Sequence, residues 1–270
     1  MTTLTQSSPT VAKPQPIVRP GGISTSLTMA YRSMLKIRRA PEQLTDALML
    51  PIIFTLLFTY LFGGALSGST SDYLQELLPG TLVMTVVLVT TFIGTGLNTD
   101  LTRGRLDRFR AMPIWQPSLI VGSLIGDVAR YLLTSASVIG LGLLMGFRPD
   151  GGVLGVLAGV GLILAFALGL SWIWTTLGLL ARSPQSLGIL SFLVQFPLLF
   201  ASNTFVAPDT MPGWLKRFVD VNPVSRLVST ERHLMAGTTS VSEVATVLLS
   251  AAAIALVFFP LTMWLYRRRT

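Results

Sequence analysis

The most chemically distinctive part of the sequence is RGRLDRFRAMPI, residues 103–114, where five charged side chains fall within eight residues. The charged residues are Arg103, Arg105, Asp107, Arg108 and Arg110. In a helix, Asp107 is able to pair with a neighbouring arginine. Pro113 ends such a helix at Met112, because proline restricts the residue before it. The stretch contains no nucleophile or paired carboxylates, so we interpret it as a contact surface and not as a catalytic site.

The same stretch also has an apolar side. Leu106, Phe109 and Met112 fall within one arc of the predicted helix, whereas Arg103 and Arg110 lie on the other side. A short amphipathic helix of this kind is suited to docking on another protein.

Catalytic and metal-binding chemistry is otherwise scarce in this sequence. The chain has no cysteine, which excludes disulfides, thiolate nucleophiles and cysteine-bound metals. Its one histidine, His233, adjoins Glu231 and Arg232, and we interpret the three as a solvated helix face. None of the three lysines ends a Gly-x-x-x-x-Gly-Lys-Ser/Thr loop. We therefore expect no metal site, no ATP site and no enzymatic activity in the chain itself.

Four polar side chains interrupt the apolar segments. Asp127 and Arg130 stand three residues apart, a spacing that places them on one side of a helix and close enough to pair. Gln195 and Asn203 are uncharged and fall in another apolar segment. Such residues either line a translocation path or lock helices together, and both interpretations remain open from the sequence.

The composition places the chain in a membrane. Hydrophobic residues make up 51% of the 270 residues and charged residues only 12%, an imbalance that one soluble core does not absorb. The net charge of +8 raises the question of nucleic acid. However, the basic residues lie at the ends of apolar segments, so membrane lipid explains them better and no nucleic-acid partner is expected.

Six apolar segments are long enough to cross a bilayer as helices, so we predict an all-α integral membrane protein. The predicted spans are 47–66, 79–99, 117–147, 153–180, 187–206 and 244–266, within a membrane domain of residues 45–268.

The distribution of Lys and Arg predicts the orientation of these spans. With the N-terminus inside, fourteen basic residues fall on the cytoplasmic side and five outside. We therefore expect both termini and residues 103–114 to be cytoplasmic.

Segments outside the spans show two further patterns. Residues 1–22 are rich in Pro, Ser, Thr and Gly, which predicts a disordered cytoplasmic tail and not a secretory signal. Residues 23–40 have the periodicity of an amphipathic helix lying in the inner membrane surface.

On the outer side, residues 207–237 predict two short amphipathic helices, half-inserted or re-entrant at the mouth of the bundle. Trp214 and Phe218 lie on the first of them. Asn222 and Pro223 form the start of the second helix, because asparagine caps helices and proline favours the first helical position. Arg226 lies in the first turn of that second helix.

Several stretches resemble the membrane subunit of the type-2 ATP-binding cassette (ABC) exporters, most closely the daunorubicin-resistance branch of actinobacteria. They are LDRFRAMPI (106–114), GLLMGFRPDGG (142–152), GLLARSPQS (178–186) and APDTMPGWLKRFVDVNPVSRLV (207–228). The resemblance implies that 103–112 is the main coupling helix entering an ATPase groove, and that Arg182 to Ser186, including Ser183, form a second contact. It also implies that 207–237 is an outer gate.

The resemblance further implies a complex of two permease subunits and two cytoplasmic ATPase subunits in a bacterial plasma membrane, with ATP and Mg bound by the ATPase. The second permease is either another copy or a sister subunit.

Where many relatives carry acidic residues around the coupling-loop glycine, this chain has basic Arg103 and Arg105, which indicates an ATPase with an acidic groove. The leading hypothesis is export of a hydrophobic or amphipathic drug-like molecule. Lipid or glycan-carrier export, or a non-transporting sensor or assembly role, are the alternatives.

Overall fold

The computed structural model describes residues 21–39, 41–104, 118–204 and 211–268, and every regular element within those ranges is an α-helix. The helices are α1 (Gly22–Arg39), α2 (Pro41–Ser67), α3 (Thr70–Val89), α4 (Thr91–Thr102), α5 (Ser118–Met145), α6 (Gly152–Leu180), α7 (Pro184–Phe200), α8 (Gly213–Val221), α9 (Pro223–Ala236) and α10 (Val241–Arg268). The all-α prediction is therefore confirmed for this part of the chain. Residues 1–20, 105–117 and 205–210 lie outside the described residues, as does nearly all of the predicted coupling helix: Arg105, Leu106, Asp107, Arg108, Phe109, Arg110 and Met112.

Four helical segments in the described ranges are long and apolar enough to cross a membrane. They are Thr70–Thr102, Ile120–Met145, Gly152–Leu180 and Val241–Arg268. The other two predicted spans correspond to shorter apolar helices, Ile52–Leu61 and Pro184–Phe200. A helix rises about 1.5 Å per residue, so each long segment is able to cross a hydrocarbon layer of about 30 Å.

The central element is the nearly continuous helix formed by α3 and α4. It begins at Thr70, earlier than the predicted span at 79, because Ser69 caps it: the Asp72 amide donates to Ser69 Oγ over 3.0 Å. Most of α3 is buried, including Leu78 and Leu82. Its partners surround it: α2, α5 and α9 pack against α3, and α6 and α7 against α4.

Small residues let the helices of the core approach closely. A Cβ on Gly94 of α4 would clash with the backbone carbonyl of Trp174 in α6, and Gly178 meets Gly94 in the same way. Trp174 itself is fully buried, and its indole Nε1 donates to Thr90 Oγ1 over 2.7 Å. Close backbone approach and interhelical hydrogen bonds are the usual means of helix association in membranes.

The N-terminal helix α1 packs along α5. Cβ atoms on Gly122 and Gly126 of α5 would clash with Met29 and Ser33 of α1, so glycine provides the space for this contact. Leu27 and Tyr31 on another side of α1 are 58% and 64% exposed. A helix is thus present at Gly22–Arg39, where 23–40 was predicted, and its small residues Ser26, Ala30 and Ser33 lie against α5.

Helix α7 ends at Phe200, whereas the predicted apolar segment continues to residue 206. The amide Nδ2 of Asn222 donates to the carbonyls of Leu198 and Ala201 over 2.8 and 3.0 Å. These carbonyls lie at the end of a helix, where no further turn satisfies them. Asn203 consequently lies in the turn after α7 and not inside a span.

Candidate functional site

The two charged residues of α5 form a buried ion pair. Arg130 Nη1 donates to Asp127 Oδ1 over 2.6 Å, and the two residues are only 8% and 3% exposed. The Arg130 guanidinium also lies 5.1 Å from the centre of the Phe92 ring on α4. A cation over an aromatic ring is attracted by it, so the pair joins α5 to α4.

A second buried polar centre lies where α3 passes into α4. The Gln195 amide Nε2 of α7 donates to the carbonyl of Val87 over 2.8 Å. Thr90 Oγ1 donates to the same carbonyl over 2.6 Å while accepting from Trp174. Gln195 therefore connects α7 to the α3–α4 junction, an arrangement that matches the interhelical hydrogen bonding considered for this residue.

Sequence reasoning missed Asn98, which is buried near the end of α4. Its amide Nδ2 donates to the carbonyls of Gly178 and Ala181 over 2.9 and 2.8 Å. Both carbonyls lie at the end of α6, so this one side chain holds the ends of α4 and α6 together. The sequence signal was a single asparagine within the predicted span 79–99.

The residues predicted to contact an ATPase follow directly after the ends of α4 and α6. Arg103 is the residue that ends α4, and its amide donates to the Thr99 carbonyl over 3.2 Å. Gly104 follows with φ +63°, a conformation that suits glycine. Arg182 lies in the turn after α6, and Ser183 caps α7 by accepting the Ser186 amide over 3.1 Å. Asn98 thus lies between the two predicted contact regions.

At the opposite end of the bundle, α8 and α9 form a cap, residues 213–236. Asn222 starts α9 as predicted by accepting the Val224 amide on Oδ1 over 3.0 Å, with Pro223 at the first helical position. Arg226 Nε donates to the Asp220 carbonyl over 3.2 Å. Asn203 Nδ2 donates to Ser229 Oγ over 2.7 Å, which ties the turn after α7 to the cap.

The aromatic residues of α8 face outward. Trp214 is 74% exposed and Phe218 is 43% exposed. They line an open apolar groove of about 570 Å³ together with Phe196 and Phe200 of α7. Helix α9 therefore buries its apolar residues within this chain, whereas these two side chains of α8 do not.

Helix α9 lies on three glycines spaced by four residues, of which the first immediately precedes α6 and the other two lie in its first turns. Cβ atoms on Gly151 and Gly155 would clash with the carbonyl oxygen of Leu234, and a Cβ on Gly159 would clash with the carboxylate of Glu231. The Gly151 amide also donates to the Met235 carbonyl over 2.8 Å. We call these three residues the glycine stripe.

Glu231 is fully buried, so its assignment to a solvated helix face is wrong. Neither carboxylate oxygen has a hydrogen-bond partner among the described residues. Burial raises the pKa of Glu231 to about 8, because a charged carboxylate is disfavoured away from water. The sequence signal was its spacing: Leu227, Glu231 and Met235 recur every fourth residue, and both apolar neighbours are buried.

The side chains next to Glu231 in sequence have partners of their own. Arg232 Nε donates to the Glu76 carbonyl over 2.9 Å and its Nη2 to the Thr204 carbonyl over 3.0 Å. His233 Nδ1 lies 3.0 Å from a carboxylate oxygen of Glu243 at the exposed surface. Within the described ranges, no group of three or more His, Asp or Glu side chains is arranged to hold a metal ion.

A helical bundle with several membrane-length helices and buried interhelical polar contacts defines an integral membrane protein. A family model for the ABC-2 type transporter matches residues 26–236, and the chain belongs to that family as a permease subunit.

Two relatives support this assignment. The chain is 47% identical to the daunorubicin resistance ABC transporter permease protein DrrB1 of Streptomyces coeruleorubidus, over 93% of this chain and 89% of that protein. It is 27% identical to the probable doxorubicin resistance ABC transporter permease protein DrrC of Mycobacterium tuberculosis, over 50% of this chain and 48% of the relative.

Proposed function

We propose that the chain is the permease subunit of an ATP-driven exporter that moves a hydrophobic or amphipathic drug-like molecule out across a bacterial plasma membrane. The cargo class rests on the relative named for daunorubicin resistance. In this proposal the six apolar segments cross the membrane, both termini are cytoplasmic, and the α8–α9 cap lies outside.

One structural relationship supports the mechanism. The α3–α4 helix runs from Arg103, beside the predicted ATPase contacts, to the Glu76 carbonyl that accepts from Arg232 of the cap. Because the helix is largely buried and nearly continuous, displacement of its cytoplasmic end is carried to its outer end. The ABC permease family normally works with a separate ATPase subunit, and two copies of each complete the path in this proposal.

Each group of residues then has a role. Residues 103–112 and Arg182 to Ser186 contact the ATPase, which binds ATP and Mg. Asn98 transmits their movement by holding α4 to α6. Asp127, Arg130 and Gln195 keep α5 and α7 in register with α4. The cap, including Asn222 and Arg226, closes the outer end until the helices rearrange.

The proposal is tested by reconstituting the chain with its partner ATPase in proteoliposomes and measuring ATP-dependent daunorubicin transport. We expect transport that requires both subunits and hydrolysable ATP. An ATPase-inactive partner is the control for passive leakage. If the chain forms no complex with any ATPase encoded beside it and drives no transport, the proposed function is wrong.

A further inference from the structure

The glycine stripe and Glu231 form an unusual contact. Three glycines bring α9 so close to α6 that the Glu231 carboxylate lies directly against the backbone of Gly159. The side chain is fully buried and both of its oxygens lack a partner among the described residues. A buried polar group without a partner is costly, so its presence needs an explanation.

No charge on the surrounding elements compensates Glu231. Helix α9 packs against α3, α6, α7, α8 and α10, and α6 and α7 carry no titratable side chain. The titratable groups on the other elements and on α9 itself are Asp72, Tyr73, Glu76, Lys216, Arg217, Asp220, Arg226, Arg232, His233, Glu243, Tyr266, Arg267 and Arg268. None of these groups forms a described ion pair with Glu231. Burial is the one cause that raises the pKa of its carboxyl group.

The carboxyl group must nevertheless be neutralised in this arrangement, because an isolated ionised carboxylate is very costly to bury. An organic cation does not fit between Glu231 and Gly159, where even one added carbon atom would clash. A proton is the ligand that fits the available space.

We propose that Glu231 is a proton-operated latch: it is protonated while α9 lies on the glycine stripe and releases its proton to external water when α9 lifts away. The identification of this movement with opening of the exit rests on the proposed function. The proton-binding site itself does not depend on the exported molecule.

The sign of the effect follows from linkage. The seated helix holds the neutral acid, whereas the lifted helix exposes Glu231 to water and releases the proton. Raising the external pH therefore favours the lifted state. The lifted-to-seated ratio rises by up to about tenfold per pH unit between about pH 5 and pH 8, and levels off above that range.

The absence of cysteine allows a direct test in the complete complex. In Val228→Cys, the new thiol replaces a fully buried side chain three residues before Glu231. Its labelling by a membrane-impermeant maleimide reports lifting of α9. Labelling of a Thr238→Cys variant, just beyond the helix, corrects for the pH dependence of the thiol reaction itself.

After this correction, we expect Val228→Cys labelling to rise more than tenfold from about pH 6 to about pH 8. Adding Glu231→Gln, which keeps the shape of the side chain but does not ionise, should remove the dependence and keep labelling slow. An unchanged pH dependence in the glutamine variant would overturn the latch.

A second measurement uses the unaltered chain, in case the variants fold poorly. Infrared spectroscopy detects the carbonyl stretch of a protonated carboxyl group and needs no reagent to reach the buried side chain. We expect this band for Glu231 at about pH 6 and its loss at about pH 9. A band of equal strength at the two values would also overturn the proposal. Neither measurement uses transport, so failure of the latch is distinguishable from failure of the exporter function.

Discussion

Arg130 and Asp127 form a 2.6 Å ion pair within one turn of α5, and both are almost completely removed from solvent. Removing one member of a buried pair leaves the other charge uncompensated, whereas replacing both with apolar side chains is often tolerated. This difference separates the structural role of the pair from a role in the translocation path.

We expect Asp127→Leu alone to destabilise the protein by about 3–5 kcal/mol, and Asp127→Leu combined with Arg130→Met to restore most of that stability. Thermal unfolding of the purified complex and ATP-driven transport should both be measured. We expect the double variant to transport, because the pair joins α5 to α4. A stable double variant without transport would instead assign the pair to the path.

Asn98 provides a second test, because its two hydrogen bonds join the end of α4 to the end of α6. Asn98→Ala leaves two buried carbonyls without their donor and should cost about 1–3 kcal/mol. We also expect transport to fall more than ATP hydrolysis. Asn98→Leu, which keeps the number of non-hydrogen side-chain atoms but cannot donate, is the control for lost packing. Equal losses of hydrolysis and transport in both variants would remove Asn98 from the coupling route.

The glycines of α6 allow a matched comparison on one helix. Gly155→Ala places a methyl group against the Leu234 carbonyl, whereas Gly161→Ala meets nothing within 4 Å. Overpacking typically costs about 1–3 kcal/mol, so Gly155→Ala should lower the unfolding temperature and speed labelling at Val228→Cys. Gly161→Ala should leave both unchanged or slightly increase stability. Similar effects of the two substitutions would argue against a specific α9 contact.

The fold was predictable where the signal is local. Long apolar segments indicated the helices, and the three-residue spacing of Asp127 and Arg130 indicated their pairing. The start of α9 at Asn222 and Pro223 was also predictable from local chemistry. These features need only neighbouring residues, so the sequence contains the necessary information.

The features that were not predicted depended on partners distant in sequence. The side chain that ends α7 at Phe200 belongs to Asn222, and Glu231 is buried because Gly159 leaves room for it. A charged triplet taken alone favours a solvated face, and only the packing of α9 on the glycine stripe reverses that preference. The partners of Asn98 and Gln195 were hidden for the same reason.

The raised pKa of Glu231 predicts how stability depends on pH. The carboxyl group is neutral in the folded protein up to about pH 8, but ionises near its ordinary value of 4.5 once unfolded. Folding therefore binds a proton between these values, and stability declines as pH rises through that window, by at most about 1.4 kcal/mol per unit. We expect the unfolding temperature to fall from about pH 5 to pH 8, and Glu231→Gln to flatten this trend. An equally steep decline in the glutamine variant would place the responsible group elsewhere.

The charged stretch 103–114 gives the most direct test of coupling. Phe109→Ala removes the central apolar side chain of the predicted docking ridge. Asp107→Ala removes the only acidic side chain of the stretch 103–114. A buried aromatic anchor at an interface is commonly worth more than about 2 kcal/mol. We therefore expect Phe109→Ala to reduce ATP-driven transport more than tenfold, with normal membrane insertion. Phe192→Ala, at an exposed position of α7, is the control that loses the same side chain and should transport normally. Full transport by both 107 and 109 variants would show that energy enters the permease through another contact, with Arg182 and Ser183 as the next residues to replace.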